Sequence, residues 1–600
     1  MRNISYTQVD INGGYLKSVE EQNRRVTMKA VYDRFAETGR IKAFDFDWKP
    51  GMPFEPHIFW DSDVAKWMEG AAYILKKHPE DRELEAKVES IIDRIERFQQ
   101  ADGYFNIHFI LVEPEKRFTN RGCHELYCAG HLMEAAVAYA EATGRERFLK
   151  CMEKYADYIN KVFKEDNSAG FRTPGHEEIE LALVKMYRYT GKKKYLELAA
   201  FFINTRGKDP KDDTDKGAQS NRPTRELEEA EGHCVRAVYL YTAMADIAKE
   251  YKDEELFKAC KRLYKDITRR KMFITGGIGT TYLGETFTKP YDLPNSESYT
   301  ETCAGIGLMF FANRMMTLEN KADYADTIER VFYNGVLSGL SQSGDRFFYE
   351  NPLEITMLDH FKNSAGEKRY PITQRPEFFG CSCCPPNLNR LLSSLGNYIF
   401  GIDGDTLYVN QFSDCTMKDG DVRCEMKTDY PVSGVVKIKA EGVSKVAVRM
   451  PGWCKDFRTS KPYEEKDGYA VMDAEGEITV CLDMTPFAVR ANKRVMRDDN
   501  KIAIQRGPVV YCAEGVDNGG NLHAFRISKD FKFEEIFEPA YGLYKLKVAA
   551  EVLKDRGEEK LYERADEEGP VYEPATLNMI PYRYFANRGE TDLLVWFDEK

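Results

Sequence analysis

The sequence of 600 residues lacks any apolar run that approaches the length of a membrane span, and its formal net charge is −12. A spanning helix needs about 20 consecutive apolar residues, so we expect no membrane-spanning segment. The negative charge, with no basic stripe to offset it, argues against a nucleic-acid or anionic-membrane partner. The N-terminal residues Met1–Tyr6 also lack the apolar segment of a secretory signal, so we expect a cytoplasmic protein.

The sequence also lacks the regular cysteine spacing of a disulfide framework. Its 14 cysteines are scattered, and without an export signal we expect them to be reduced. Most of the isolated cysteines are expected to be small buried apolar side chains. The exception is Cys381, Cys383 and Cys384, three cysteines within four residues that are followed by two prolines.

The character of the chain changes near residue 400. Before it, apolar residues recur at helical spacing, for example over 132–139. After it, short strand-like runs such as 446–450 and 478–482 are separated by turns rich in glycine and aspartate. A chain of this length should hold about three or four domains. We therefore predict a helical part followed by one or two antiparallel β-sandwiches, which the apolar run 593–597 closes.

The helical part contains a weak internal repeat. The segment Thr143–Leu149 recurs as Thr190–Leu196, and each copy lies between two helical stretches. The repeating unit is therefore predicted to be a helical hairpin. About a dozen helical stretches lie between residues 25 and 398. Six hairpins can close into an α/α toroid or run open as a solenoid, and periodicity does not choose between them.

The cysteine run has the residue types of a metal site. Glu301 and Cys303, two residues apart, could join Cys383 and Cys384 as one oxygen and three sulfur ligands, a plausible tetrahedral zinc set. Cys381 could replace one of these cysteines. The alternatives are a set of buried free thiols, or a reactive thiolate at the start of a helix that opens with the two prolines.

Other polar residues suggest a binding site. Glu285 lies in an irregular segment, 276–295, between helices, and such segments are often functional. A single glutamate there is more often a solvated surface charge. His124, His176 and His233 each stand at the start of a predicted helix, so on a toroid they would face a common pocket, although each alone fits a structural role.

These motifs together resemble glycoside hydrolase family 127. The resemblance rests on Glu301-Thr302-Cys303, the Cys381–Asn387 run, Gly284-Glu285 and the segment His124–Cys128. It extends nearly end to end, as far as Ile580-Pro581-Tyr582 and Asn587-Arg588-Gly589 near the C-terminus. The combination is highly specific, although each motif alone would be weak.

The resemblance implies an (α/α)6 barrel catalytic domain over residues 1–400, followed by β-sandwich domains. The first sandwich would span 401–505 and take its last strand from about 588–600, and the second would span 506–587. A possible homodimer is also expected from the family. The partner would be a small carbohydrate, an arabinofuranosyl oligosaccharide or glycoside.

The resemblance also implies roles for individual residues. Cys383 would be the nucleophile and Glu285 the general acid/base. Zinc would be held by Glu301, Cys303, Cys383 and Cys384. The residues that match sugar-contacting positions are His124, His176, His233, Glu329 and Tyr349. His131 lies seven residues after His124 and could serve in its place, and Cys381 receives no role.

The activity that the resemblance implies is a retaining, exo-acting β-L-arabinofuranosidase, which releases L-arabinose from non-reducing ends. A retaining glycosidase needs a nucleophile and an acid/base on opposite sides of the anomeric carbon. We expect partial burial to raise the pKa of Glu285 so that it can donate a proton first. The alternatives are a family member that acts on a different pectin-derived sugar, a non-catalytic zinc or thiol protein, and an epimerase or lyase on an α/α toroid. The last is disfavoured because those reactions need no pair of thiolates.

Overall fold

In this computed structural model the chain is helical as far as residue 392 and consists mainly of strands from residue 400 onward. The structure describes residues 1–361, 369–554, 562, 564–566 and 569–600. Over these ranges the α-helices are α1 (Gly14–Gln22), α2 (Met28–Glu37), α3 (Arg40–Ala43), α4 (Trp60–Lys77), α5 (Arg82–Phe98), α6 (Ile107–Leu111), α7 (Glu125–Thr143), α8 (Arg147–Asn160), α9 (Ile179–Thr190), α10 (Lys193–Thr205), α11 (Cys234–Tyr251), α12 (Glu254–Asp266), α13 (Thr302–Leu318), α14 (Ala322–Arg330), α15 (Met357–Phe361), α16 (Cys384–Leu392) and α17 (Gly515–Asn518).

The repeated Thr-Gly motif forms the turn of a helical hairpin, as the sequence predicts. Helix α7 ends at Thr143 and α9 ends at Thr190, and each is followed by a glycine with φ near +70°. A left-handed residue ends a helix at low cost when it is glycine. Each threonine hydroxyl donates a hydrogen bond to the carbonyl four residues earlier, at 2.8 Å. The next helix then begins within three residues and runs back.

Among the described residues, six helices form a closed ring. Helix α4 contacts α7, α7 contacts α9, α9 contacts α11, α11 contacts α13, α13 contacts α16, and α16 returns to α4. The contacts return to the first helix, which those of an open solenoid would not do. Each ring helix also contacts at least one helix outside the ring: α4 contacts α5, α7 contacts α8, α9 contacts α10, α11 contacts α12, α13 contacts α14 and α16 contacts α2. Ring helix α7 is buried over almost its whole length, whereas α5 buries a single stripe of four apolar residues, which places α5 on the outside.

The ring helices all run in the same direction. On α7, Tyr127 near the N-terminus lines one cavity and Glu141 near the C-terminus lines another. On α11, Val235 and Asp246 are divided in the same way. The N-terminal ends of the ring helices therefore surround one cavity, and their C-terminal halves surround a second cavity of about 380 Å³.

The strands of the described ranges form three sheets. They are β1 (Arg2–Asn3), β2 (Val9–Ile11), β3 (Glu354–Ile355), β4 (Phe400–Asp403), β5 (Thr406–Val409), β6 (Cys415–Asp419), β7 (Val422–Thr428), β8 (Val435–Glu441), β9 (Lys445–Arg449), β10 (Phe457–Thr459), β11 (Glu464–Lys466), β12 (Tyr469–Asp473), β13 (Ile478–Leu482), β14 (Phe487–Val489), β15 (Lys501–Arg506), β16 (Val509–Glu514), β17 (Phe525–Ile527), β18 (Phe533–Glu538), β19 (Leu543–Leu553), β20 (Tyr572–Pro581), β21 (Leu593–Leu594) and β22 (Phe597–Glu599).

Two sheets have six strands, in the orders β1-β4-β5-β9-β12-β11 and β10-β13-β8-β7-β6-β2. Their alternating buried side chains, such as Val446 and Ile438, belong to one hydrophobic cluster. The third sheet has the order β14-β15-β22-β17-β19-β20-β16-β21-β3, with β18 paired to β19. Most neighbours are antiparallel, but β5 with β9 and β17 with β22 are parallel.

The last strands of the chain lie in the ten-stranded sheet. Strand β22 pairs with β15 and β17, and β21 pairs with β16. Conversely, β1 and β2 at the N-terminus join the six-stranded sheets. An apolar run predicts a strand but not its partner, because pairing is decided by contacts distant in sequence. No helix in the described ranges is long and apolar enough to cross a membrane.

Candidate active site

Four side chains converge where α13 and α16 begin, and we call them the thiol cluster: Glu301, Cys303, Cys383 and Cys384. One ligand atom from each lies within 4.8 Å of the others. The Cys303 Sγ is 3.5 Å from the Cys383 Sγ and 3.3 Å from the Cys384 Sγ, and the last two are 3.7 Å apart. The Oε1 of Glu301 lies 3.6 Å from the Cys383 Sγ.

The geometry of the thiol cluster fits a tetrahedral zinc ion. With zinc–sulfur bonds of about 2.3 Å, two sulfurs of a tetrahedron lie roughly 3.8 Å apart, close to the observed separations. Glu301 Oε2 is buried and has no hydrogen-bond partner in the described part of the chain. Burial and the Cys383 charge raise the pKa of Glu301 well above its ordinary value. Four acidic groups this close cannot all ionise without a cation, so the cluster could hold a metal.

The local sequence explains why the thiols meet the carboxylate. Pro385 and Pro386 occupy the first turn of α16, where a missing N–H costs nothing, so the helix begins immediately after Cys383. Glu301 caps α13 through its backbone only, which leaves its carboxylate for the cluster. The residue before it, Thr300, has φ of +37°. A left-handed threonine is strained, and such strain is commonly kept at functional sites.

Glu285 lies next to the thiol cluster on a tight turn, Leu283–Glu285. It is also left-handed, with φ of +57°. The Nε2 of His233 is 2.6 Å from the Glu285 Oε2, and the Tyr299 hydroxyl donates to Oε1 at 2.7 Å. One atom from each of Glu285, His233 and Glu301 lies within 4.8 Å of the others. The turn therefore places a second carboxylate beside the cluster.

The expected direction of the Glu285 pKa shift is wrong for this structure. Burial raises the pKa of Glu285, but hydrogen bonds from His233 and Tyr299 outweigh it and hold the pKa below its ordinary value. Burial also lowers the pKa of His233. Its Nδ1 accepts a hydrogen bond from the backbone N–H of Arg236 at 3.4 Å. A neutral His233 therefore carries its proton on Nε2 and donates it to Glu285.

The other two histidines face the same space. The ring centres of His124 and His176 are 5.7 Å apart, and those of His176 and His233 are 5.6 Å apart. Burial lowers the pKa of His124 to about 4 and that of His176 well below its ordinary value. Each has its Nδ1 near a backbone carbonyl, at 2.8 Å and 3.1 Å. The neutral rings therefore keep Nε2 as an acceptor for a ligand hydroxyl.

Most of these groups line one cavity of about 600 Å³ at the N-terminal ends of the ring helices. Cys383, Glu285, Glu301 and the three histidines line it, as does Tyr349. The Tyr349 hydroxyl is 3.5 Å from the Cys383 Sγ. Cys381, to which the family resemblance assigns no role, also lines the cavity. It is not one of the four clustered ligands. Thiol, carboxylate and imidazole groups thus converge on one polar pocket.

The sequence matches two family models. One, for the β-L-arabinofuranosidase GH127 catalytic domain, matches residues 8–397, and another, for the glycoside hydrolase family 127 C-terminal domain, matches residues 486–598. The chain belongs to glycoside hydrolase family 127. Membership in a glycoside hydrolase family implies a carbohydrate substrate.

Relatives of this family 127 chain match it over nearly its full length. A non-reducing end β-L-arabinofuranosidase of Bifidobacterium longum subsp. longum is 36% identical over 586 residues, which cover 89% of this chain and 88% of that protein. The crystal structure of a GH127 β-L-arabinofuranosidase from Geobacillus stearothermophilus T6 is 38% identical, covers 99% of this chain and 100% of its own, and has a TM-score of 0.91. A second solved structure, of a GH127 β-arabinofuranosidase, is 32% identical, covers 100% and 98%, and has a TM-score of 0.89.

Glu329 does not belong to the cavity of this family 127 chain, so its predicted sugar contact is not supported. The side chain is 1% exposed and is ion-paired with Arg449 at 2.5 Å. Tyr430 and Trp453 also donate hydrogen bonds to it. Glu329 lies at the end of α14, on the face that meets strand β9, and therefore joins the helical ring to a sheet. His131 is fully buried beside Glu178, so His124, not His131, lines the cavity.

Sequence reasoning missed several residues at or beside the cavity of the family 127 chain. Tyr299 bonds to Glu285, Tyr127 packs against His176 with ring centres 4.2 Å apart, and Arg236 lines the cavity. Arg236 stands three residues after His233, on the same helical face. That spacing is the sequence signal from which it could have been found.

Proposed function

We propose that this chain is a retaining, exo-acting β-L-arabinofuranosidase that releases L-arabinose from non-reducing ends. One observation carries the proposal. Cys383, a corner of the thiol cluster, and Glu285 line the same cavity. A thiol nucleophile and a carboxylic acid/base around one sugar-sized space are the two groups that a retaining reaction needs. The name of the 36% identical relative supports the choice of sugar.

Zinc is the metal that the donor set favours, since three sulfurs and one carboxylate oxygen suit a tetrahedral site. Glu301, Cys303, Cys383 and Cys384 would hold it. When bound, it would keep the thiols deprotonated and would lower the basicity of the Cys383 sulfur.

The chain's own residues would then perform the two steps. The Cys383 thiolate attacks the anomeric carbon, and the C–O bond to the leaving group breaks as Glu285 donates its proton to the departing oxygen. Glu285 next accepts a proton from water, whose oxygen displaces the sulfur and restores the starting configuration. A sugar in the cavity removes water from Glu285, which raises its pKa toward the value that the first step needs.

The polar lining would hold the sugar. The Nε2 atoms of His124 and His176 can accept hydrogen bonds from sugar hydroxyls, and the Tyr349 hydroxyl lies beside the Cys383 sulfur. His233 acts as a positioning residue, because its Nε2–H donates to Glu285. A closed ring of six helices, each with a partner helix, supports an (α/α)6 barrel as the scaffold.

Hydrolysis of an aryl β-L-arabinofuranoside tests the proposal. Wild-type protein should release the phenol and L-arabinose, and Cys383→Ser should lower kcat by roughly a thousandfold or more, because a serine hydroxyl is protonated and is a weaker nucleophile. Cys454→Ser, in a cysteine distant from the cavity, is the matched control. Full activity in Cys383→Ser would disprove the nucleophile. A wild-type enzyme that ignores arabinofuranosides but cleaves another pectin-derived sugar would disprove the substrate.

A further inference from the structure

Arg236 is a cation in the cavity without a contacting counter-ion. It lies in the first turn of α11 and lines the cavity beside Glu285. Within the described part of the chain its guanidinium makes no hydrogen bond and no ion pair, and its Nε is buried without a partner. By contrast, the buried arginines Arg206, Arg390 and Arg449 each contact carboxylates. Arg236 is therefore left available to a ligand.

Two carboxylates whose pKa values Arg236 lowers through its charge, Glu177 and Glu285, pair with other residues. Glu177 is 2.8 Å from Arg206, and Glu285 is 2.6 Å from His233. Arg236 acts on both through its charge but contacts neither. An ion pair with Glu177 or Glu285 therefore does not explain why Arg236 lines the cavity.

A guanidinium in such a place favours one type of ligand. Its planar fork matches a carboxylate with two parallel hydrogen bonds, and these are stronger than bonds to a neutral hydroxyl. Arg236 also lies at the N-terminal end of an 18-residue helix, where the backbone dipole adds to the attraction for an anion. The guanidinium of Arg236 and the helix dipole therefore both favour a carboxylate ligand.

We propose that Arg236 binds a carboxylate carried by the leaving group of the substrate. The inference rests on the proposed function, because L-arabinofuranose has no charge and the carboxylate must then belong to the leaving group. Glu285 would protonate the leaving oxygen, and it is held by His233. His233 caps α11, and Arg236 lies in the first turn of that helix. The preferred substrates are thus arabinofuranosides of a uronic acid, a hydroxy acid or another carboxylated alcohol.

The mouth of the cavity offers a surface for the rest of that leaving group. Tyr282 and Leu283 precede Glu285 on the same turn and are 36% and 67% exposed. Tyr282 lines the cavity. Exposed apolar side chains next to the acid/base can cover the ring or chain that bears the carboxylate. Arg236 would then bind the carboxylate, and Tyr282 and Leu283 would cover the carbon skeleton of the leaving group.

A pair of matched substrates tests the proposal. We would measure kcat/KM for 4-carboxyphenyl and 4-carbamoylphenyl β-L-arabinofuranoside, which are similar in size and differ in charge. The acid-to-amide ratio should fall by about tenfold in Arg236→Gln, the loss expected for one charged hydrogen bond. Arg236→Lys, which keeps the charge and loses the fork, should give an intermediate ratio. The ratio cancels effects of the substitution on folding and on the sugar. An unchanged ratio would overturn the inference.

A second test uses the wild-type protein alone. 4-Hydroxybenzoate should inhibit hydrolysis of the neutral substrate more strongly than 4-hydroxybenzamide, and equal inhibition would also count against Arg236 as a carboxylate site. The two proposals fail differently. If wild-type protein hydrolyses both arabinofuranosides with no dependence on Arg236, only the leaving-group inference is wrong. If it hydrolyses neither, the proposed function is wrong, and the inference is withdrawn with it.

Discussion

Two polar clusters lie within the same ring of helices and differ in what balances their charge. The thiol cluster lies at the cavity. The second, which we call the carboxylate cluster, consists of His131, Glu134 and Glu178, and its ligand atoms are also within 4.8 Å of one another. In the carboxylate cluster the protein supplies the cations. Arg390 and Lys185 both contact Glu134, Lys185 at 3.4 Å.

The pKa values of the carboxylates reflect this difference between the two clusters. Burial disfavours the charge of Glu134, but Lys185 and Arg390 outweigh it and lower its pKa to about 2. Burial and the Glu134 charge raise the pKa of Glu178, so this pair retains one proton. In the thiol cluster no described side chain brings a cation into contact. Ligand type and spacing alone therefore do not define a metal site, because the charge already present decides whether a metal ion is needed.

The largest expected difference between variants of the two clusters is in their metal content. Cys303→Ser should reduce bound zinc from about one ion per chain to almost none, because the tetrahedral set loses a thiolate. Glu178→Gln, the matched change in the carboxylate cluster, should keep the zinc. Elemental analysis after gel filtration measures both. Loss of zinc in Glu178→Gln alone would reverse the assignment of the two clusters.

One histidine–glutamate pair lies beside the thiol cluster and another lies in the carboxylate cluster, and only the first pair lines the cavity. His233–Glu285 is partly exposed, whereas His131–Glu178 is fully buried. Glu285→Gln should lower kcat by about 10²–10⁴-fold on an arabinofuranoside with a poor leaving group, since proton donation is lost. The loss should be smaller with 4-nitrophenoxide, which leaves without a proton. Equal losses on the two substrates would argue that Glu285 is not the proton donor.

Arg390→Met should destabilise the protein by about 3–5 kcal/mol, because it removes the guanidinium that pairs with buried Glu69 and Glu134 and leaves Lys185 to balance both carboxylates. Thermal unfolding should show a lower Tm. Arg423→Met, at an exposed position in β7, is the control and should change little. Adding Glu134→Gln to Arg390→Met should recover part of the loss. No recovery would mean that Arg390 stabilises the ring by packing rather than by charge.

Much of the fold was predictable from local sequence. The Thr-Gly turns, the helical part and the later strands follow from short-range patterns, because capping and periodicity are local properties. The partner of β22 and the contacts of Glu329 were not predictable. Strand β22 pairs with residues at least 72 positions away, and Arg449 lies 120 positions from Glu329. No local pattern records such a contact.

The sequence by itself determined the chemistry that is available: three clustered cysteines, Glu301 two residues before Cys303, and histidines at helix starts. The tertiary structure decided how those groups are used. Closure of the ring brings α13 against α16, which completes a four-ligand set from residues about 80 apart. The folded chain also separates Cys381 from that set, places Glu329 against a sheet and leaves Arg236 without a contacting counter-ion among the described residues. The physical reason is that charge balance depends on distance in space, which the order of residues does not give.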